Sequence, residues 1–310
     1  MPDLIKPAAL SEGSCIGVMA PGSYVDPDEL KIGQFLLESN GFTTRAHPQT
    51  FDRHHQSAGT PDKKADAFHS LLMNDDIEAI MLAGGGNRTL HFLCEIDMNI
   101  VIHNPKPVIG FSDCTALLGA VTGQTGIATI HGPTVTWLSR DLKDKDDQIK
   151  SIVNMLMGED TSLPLEKARV LKPGKAKGPL YGGNLSLVMR MIGTKWCPDL
   201  DGAILYLEDV GDELSWIDRD LWYLRETGVL KYLAGIVFGS FSQGDSGGKP
   251  FGFSLDEIIM EHMDGIDIPV IMDAPFGHGD YLYPLPFGTH GVLEVSEARA
   301  QLTFDSPVGR

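Results

Sequence analysis

The feature that most constrains this chain is a repeated hand-over in its first half. Short apolar runs end in small residues and pass into segments with helical periodicity. "CIGVMAP" (Cys15 to Pro21) reads as a buried strand, and "PDELKIGQFLLESNGF" follows with apolar residues at helical spacing and a stop at Asn40-Gly41. "DKKADAFHSLLMND" is a second amphipathic helix, "IEAIMLAGGG" a strand running into glycines, and "PVIGF" a strand running into Ser112. Strands of this length alternating with helices imply a parallel sheet wrapped on both faces, a doubly wound α/β domain. "DLKDKDDQIKSIVNMLMG" reads as its closing helix.

The pattern changes near residue 159. Residues 159–178 are polar and punctuated by Pro and Gly, as expected of a linker or surface loop. Beyond them come strand-like runs such as "GAILYLEDVG" and "LAGIVFGSF", with helical segments around Asn184 to Ile192 and Trp216 to Arg225. The expected organisation is an N-terminal α/β domain (1–158), a linker (159–178) and a largely β C-terminal domain (179–310).

Charge narrows the partners. Against 25 Lys and Arg stand 42 Asp and Glu, a net charge of −17 in 310 residues. Phosphate-rich surfaces repel such a chain, so neither nucleic acid nor an anionic membrane is an expected partner. No stretch has the length of a signal peptide's apolar core or a membrane span, and the cytoplasm is the default location. The four cysteines (Cys15, Cys94, Cys114, Cys197) form no CxxC pair, and the histidines form no HExxH. No disulfide frame, metal site or cofactor is expected.

Four segments could carry chemistry. Ser112 stands on a sharp strand-to-helix turn. A serine there either caps the helix or presents its hydroxyl beside the N–H of Asp113, which can stabilise an oxyanion. The surrounding "GFSDC" meets G-x-S-x-G only halfway, and Cys114 is a weaker rival nucleophile. "LAGGGNRT" offers either a tight turn or a second oxyanion N–H. It lacks a glycine at Thr89, so a dinucleotide fingerprint is not met. "ILYLEDVG" delivers Glu208 and Asp209 at a strand end. "DAPFGHGDYLYPLPFGTHG" holds His278 between glycines, with His290 as a competitor.

Taken together and in this order, these segments resemble the LD-carboxypeptidase family of serine peptidases, which includes muramoyl-tetrapeptide carboxypeptidases and microcin C immunity proteins. "IGVMAP", "AGGGNRTL", "NPKPVIGFSDCTALL", "IHGPTV", "GPLYGGNLSLV", "LYLEDVGDELSWIDRDLWYLR", "GIVFGSFSQG" and "DAPFGHGD" with "LPFG" carry the resemblance, from Cys15 to Gly288. It implies Ser112 as nucleophile, His278 as base and Glu208 as the acid that holds the imidazole. The implied oxyanion donors are the N–H groups of Asp113 and of Gly85 or Gly86. It also implies two domains that hinge motion could bring together, and a homodimer. The expected reaction is release of a terminal D-alanine from a murein tetrapeptide, in peptidoglycan recycling, through an acyl-enzyme. Arg88 is a candidate reader of the substrate's free carboxylate.

Two alternatives accompany it. "AGGGN" and "YGGN" also resemble the microcin-immunity branch, whose amidases cleave aminoacyl or peptidyl nucleotides and are expected to stack adenine on a tryptophan between the domains. Residues 159–178 contain none, and Trp137 is the substitute to weigh. The other alternative is a non-catalytic α/β ligand-binding module in which Ser112 is only a cap. An ordinary α/β-hydrolase shares the order Ser, acid, His, but not the strand-rich second half.

Overall fold

A computed structural model describes residues 4–242, 248 and 250–309. The first sheet uses β1 (Cys15–Met19), β2 (Thr43–Ala46), β3 (Ala79–Leu82), β4 (Val108–Gly110) and β5 (Thr129–His131), all parallel, in the order β2-β1-β3-β4-β5. Strands β1, β3, β4 and β5 are buried on both faces, with alternate residues supplying the two cores, while β2 is a half-exposed edge strand. Ile16 and Val18 of β1 and Ala79 and Met81 of β3 pack on one side; Met19, Ile80 and Leu82 pack on the other. That is the two-sided burial a wrapped parallel sheet demands. Helices α1 (Pro27–Ser39), α2 (Pro61–Met73), α3 (Met98–His103), α4 (Thr115–Thr125) and α5 (Lys145–Leu156) follow the strands.

The second sheet contains β6 (Arg169–Lys172), β7 (Gly174–Asn184), β8 (Ile204–Val210), β9 (Gly235–Ser242), β10 (Val270–Met272), β12 (His290–Val295) and β13 (Ala300–Phe304). Its order is β13-β12-β7-β8-β9-β10-β6. The centre, β7 to β10, is parallel, and antiparallel strands close both ends. Helices α6 (Leu185–Met191), α7 (Leu214–Glu226), α8 (Val229–Tyr232) and α9 (Leu255–His262) complete this half.

Three details amend the sequence reading. Residues 159–178 are not simply a linker: 159–168 lack regular structure, but β6 and the first residues of β7 follow. The second half carries α8 and α9 in addition to the two expected helices. The halves also interlock. Strand β11 (Leu285–Phe287) leaves the C-terminal half and pairs antiparallel with β5 in the first sheet. Helix α4 is buried on nearly every side and packs against β4 and β5 as well as β7, α6 and β11. One core cluster runs from Phe68 and Leu117 to Leu205 and Phe238. Each large aliphatic side chain it buries contributes roughly 1.5–3 kcal/mol, so parting the halves would expose a costly face. The end of the "GIVFGSFSQG" segment, residues 243–244, lies outside the described residues.

Candidate active site

The site forms where the carboxyl ends of the two parallel strand sets meet. Ser112 stands one residue, Phe111, beyond β4 and sits at φ +63°. A non-glycine residue in this left-handed region is strained, and it persists only where its surroundings enforce it. A single-turn 3-10 helix (Ser112–Cys114) then leads into α4. The Ser112 side chain caps neither helix. Its Oγ lies 3.0 Å from Nε2 of His278 instead.

The imidazole continues the chain. His278 Nδ1 lies 2.7 Å from Oε2 of Glu208, and the His278 backbone N–H donates to the same oxygen at 3.3 Å. Glu208 is wholly buried, whereas the His278 side chain keeps 12 % of its surface open. A buried carboxylate accepting at Nδ1 fixes the proton there and leaves Nε2 free to accept from the serine hydroxyl. Asn184, at the end of β7, reaches the other Glu208 oxygen at 3.4 Å. The loop carrying His278 is pinned by Ser240 on β9, whose backbone N–H donates to Phe276 O and whose Oγ accepts from the Gly279 N–H at 3.0 Å. Gly277 is required there: at φ +109°, a Cβ would stand 2.6 Å from Ser240 Oγ and 2.7 Å from Glu208 Cβ.

The glycine turn after β3 faces the same serine. A Cβ on Gly85 would come within 2.9 Å of Ser112 Cβ and 3.4 Å of the Asp113 nitrogen. Gly85 therefore keeps open the space beside Ser112 and the Asp113 N–H. Gly86 lies against Ser23 instead, where its Cβ would approach Ser23 Oγ to 2.3 Å. Ser23 binds the turn, donating its N–H to Gly85 O and accepting from the Asn87 N–H at 3.1 Å. The Asp113 side chain turns away from the serine and accepts from the Thr89 N–H at 2.8 Å. Burial raises its pKa, while the Thr89 hydrogen bond and Lys64 oppose that shift. Lys64 is itself buried and donates to Gly22 O, and burial lowers its pKa to about 8.

Other residues fall elsewhere. Arg88, at φ +82°, is exposed at the rim of the glycine turn. Cys114 is fully buried, and burial raises its pKa strongly, the wrong direction for a nucleophile. His290 is exposed at the start of β12. Asp209 lies beside Glu208 in sequence but accepts the Ser186 and Val210 N–H groups, and burial raises its pKa to about 7. Sequence reasoning missed three contributors. Asn184 and Ser240 stood inside segments noted for other reasons. His131, one of the histidines outside any HExxH pattern, is fully buried and packs edge-on against Phe111, Tyr206 and Phe276.

A two-sheet α/β protein with a strained serine, an imidazole and a buried carboxylate in one hydrogen-bonded chain has the make-up of a serine hydrolase. Comparison with known proteins sharpens this. Residues 16–132 match the LD-carboxypeptidase N-terminal domain and residues 177–293 the LD-carboxypeptidase C-terminal domain. A Bacillus subtilis protein named "Probable murein peptide carboxypeptidase" is 31% identical over 300 residues, covering 95% of this chain and 93% of that one. The murein tetrapeptide carboxypeptidase of Pseudomonas aeruginosa is also 31% identical, over 92% of this chain and 94% of its own. The Escherichia coli microcin C7 self-immunity protein MccF is 27% identical over 96% and 95% of the two chains. A solved MccF structure superimposes with a TM-score of 0.89 at 23% identity, covering 98% of this chain and all of that one, which shows the shared fold. The chain belongs to the LD-carboxypeptidase family and is a serine peptidase.

Proposed function

We propose that the protein is a cytoplasmic carboxypeptidase that hydrolyses the L,D-amide bond of a murein tetrapeptide and releases its terminal D-alanine, a step in peptidoglycan recycling. His278 Nε2 takes the proton of Ser112 as Oγ attacks the carbonyl carbon. Glu208 holds the imidazole and stabilises its charged form. The N–H groups of Asp113 and Gly85 receive the oxyanion. His278 then passes its proton to the leaving amine, and a water molecule, deprotonated by the same imidazole, releases the acyl group. The observation that carries this reading is the continuous chain from Ser112 through His278 to Glu208, anchored on a serine at positive φ. The relatives named for murein peptides supply the substrate class.

MccF, named as a self-immunity protein and solved with aspartyl sulfamoyl adenosine, motivates a second substrate class. Trp137 is poorly suited to receive an adenine: it is 4 % exposed, and the Arg140 guanidinium already covers its ring at 3.9 Å. Product analysis by mass spectrometry decides between the two. Purified protein and Ser112→Ala are each offered a murein tetrapeptide and an aminoacyl sulfamoyl adenosine. Release of D-alanine by the wild type alone is expected. Cleavage of only the nucleoside analogue promotes the amidase, and no product from either favours a binding module.

A further inference from the structure

An exopeptidase must recognise the free carboxylate of the residue it releases, and the chemistry of the site restricts where that recognition can occur. His278 has to protonate the leaving nitrogen, so the leaving residue lies on the imidazole side of Ser112. The oxyanion lies on the opposite side, against the glycine turn. In an amino acid the carboxylate carbon stands only about 2.5 Å from the nitrogen. The cation that reads it therefore belongs beside the imidazole.

Arg140 is linked to the imidazole through one shared ring, Trp137. It follows the 3-10 turn Thr136–Ser139, which is fastened to the strand that delivers the glycines: Val135 N–H donates to Leu82 O, and both Thr136 N–H and Oγ donate to Ala83 O. Trp137 on this turn packs edge-on against Phe111, the residue before Ser112, with ring centres 4.6 Å apart. It also meets the His278 imidazole edge-on at 5.6 Å. The Arg140 guanidinium lies over the same indole at 3.9 Å. Arg140 is exposed, and among the described residues its guanidinium makes no hydrogen bond or ion pair. A rigid aromatic platform thus holds an unpaired planar cation one ring away from the imidazole. Arg88, by contrast, adjoins the glycine turn, next to the Thr89 N–H that Asp113 holds, and so stands on the oxyanion side.

We propose that Arg140, seated on Trp137, binds the free carboxylate of the leaving residue and makes the enzyme specific for chain ends. The inference rests on the carboxypeptidase reading above. The guanidinium fork suits a carboxylate, which it meets with two parallel N–H bonds.

The test uses a murein tetrapeptide ending in D-alanine as the free acid and as the amide. The wild type should prefer the acid. Arg140→Ala should lose about ten- to hundredfold in kcat/KM on the acid and little on the amide, the size expected for a charge-assisted pair. Arg140→Lys should recover part of the loss, and Arg88→Ala should keep the preference. A second measurement needs no turnover: D-alanine, but not D-alaninamide, should slow labelling of Ser112 by a fluorophosphonate. In Arg140→Ala that protection should vanish, the rate with D-alanine being compared with the same variant's rate without it. Retained preference or protection in Arg140→Ala overturns the proposal, as does their loss in Arg88→Ala. If the wild type cleaves neither peptide, the substrate reading fails separately, and the protection assay still decides the subsite.

Discussion

Lowering the pH from about 7 to about 4.5 should act on one imidazole more than on any other in this chain. His131 is fully buried, and neither ring nitrogen has a hydrogen-bond partner among the described residues. Burial lowers its pKa to about 4; Glu208 pulls the other way, and His278 adds to the lowering. In the unfolded chain the same group titrates near 6.5. As pH falls through that value, the unfolded state takes up a proton that the folded state refuses. Stability is therefore lost between about 6.5 and 4, with nothing further lost below. Over the stated interval the loss from this one group comes to about 2.5 kcal/mol. Other groups titrate in the same range. Asp209, with its pKa raised to about 7, binds its proton more tightly when folded and so gains stability as pH falls. The measurement must isolate His131. His131→Phe keeps a flat ring against Phe111, Tyr206 and Phe276 and removes the titration. Urea unfolding of both proteins, at about pH 7 and about pH 4.5, gives the change in stability with pH for each. Any repacking cost of the phenylalanine appears at both pH values and cancels. The wild type should lose about 2.5 kcal/mol more than the variant across the interval. Equal losses, within about 0.5 kcal/mol, would show that the folded and unfolded imidazoles titrate alike and refute the burial argument.

Two further outcomes follow from the site's packing. Gly277→Ala places a methyl group against Ser240 Oγ and Glu208 Cβ at a backbone angle that L-residues avoid, so the His278 loop must shift. Turnover should fall by about a hundredfold or more while thermal stability drops only modestly, because a small misplacement of the proposed base is costly; near-wild-type kcat/KM would contradict the role proposed for His278. In the native protein, iodoacetamide should modify the exposed Cys94 and spare Cys114, whose thiol is buried with a raised pKa. Mass spectrometry of the peptides reads this directly, and rapid alkylation of Cys114 would restore it as a rival nucleophile.

How much of this was legible differs between the elements, for physical reasons. Strands β1, β3 and β4 announced themselves because both of their faces are buried, whereas β2, a half-exposed edge strand, and the three-residue β5 did not. The serine turn was visible as a break between "PVIGF" and a helical run, but the left-handed angle of Ser112 was not, since serine has no preference for it. Ser112 sits between the close approach of Gly85 and the 3-10 turn into α4, a juxtaposition that no local pattern encodes. Glu208 and Asp209 are both buried neighbours at the end of β8, and residue type alone could not say which faces the imidazole. Strand β6 was hidden because it is a half-exposed edge strand in a polar segment. Helix α9, by contrast, was readable and overlooked: Ser254 and Glu257 form a reciprocal cap just before its apolar residues.

The least legible element, β11, bears most on how the site works. It is three residues long and contains Pro286, which suits only an edge position. At that edge it pairs with β5 and fastens the C-terminal half to the sheet that carries Ser112. The resemblance to a two-domain family suggested a site assembled by hinge motion. The shared strand, the helix α4 packed against both sheets and the continuous core argue otherwise. Ser112, His278 and Glu208 stand within hydrogen-bonding distance of one another. Separating them would require stripping β11 from β5 and opening apolar surface around α4, a cost of many buried side chains at roughly 1.5–3 kcal/mol each. The shared strand and the common core therefore favour a site in which the glycine turn, the 3-10 turn bearing Trp137 and the loop bearing His278 stay together.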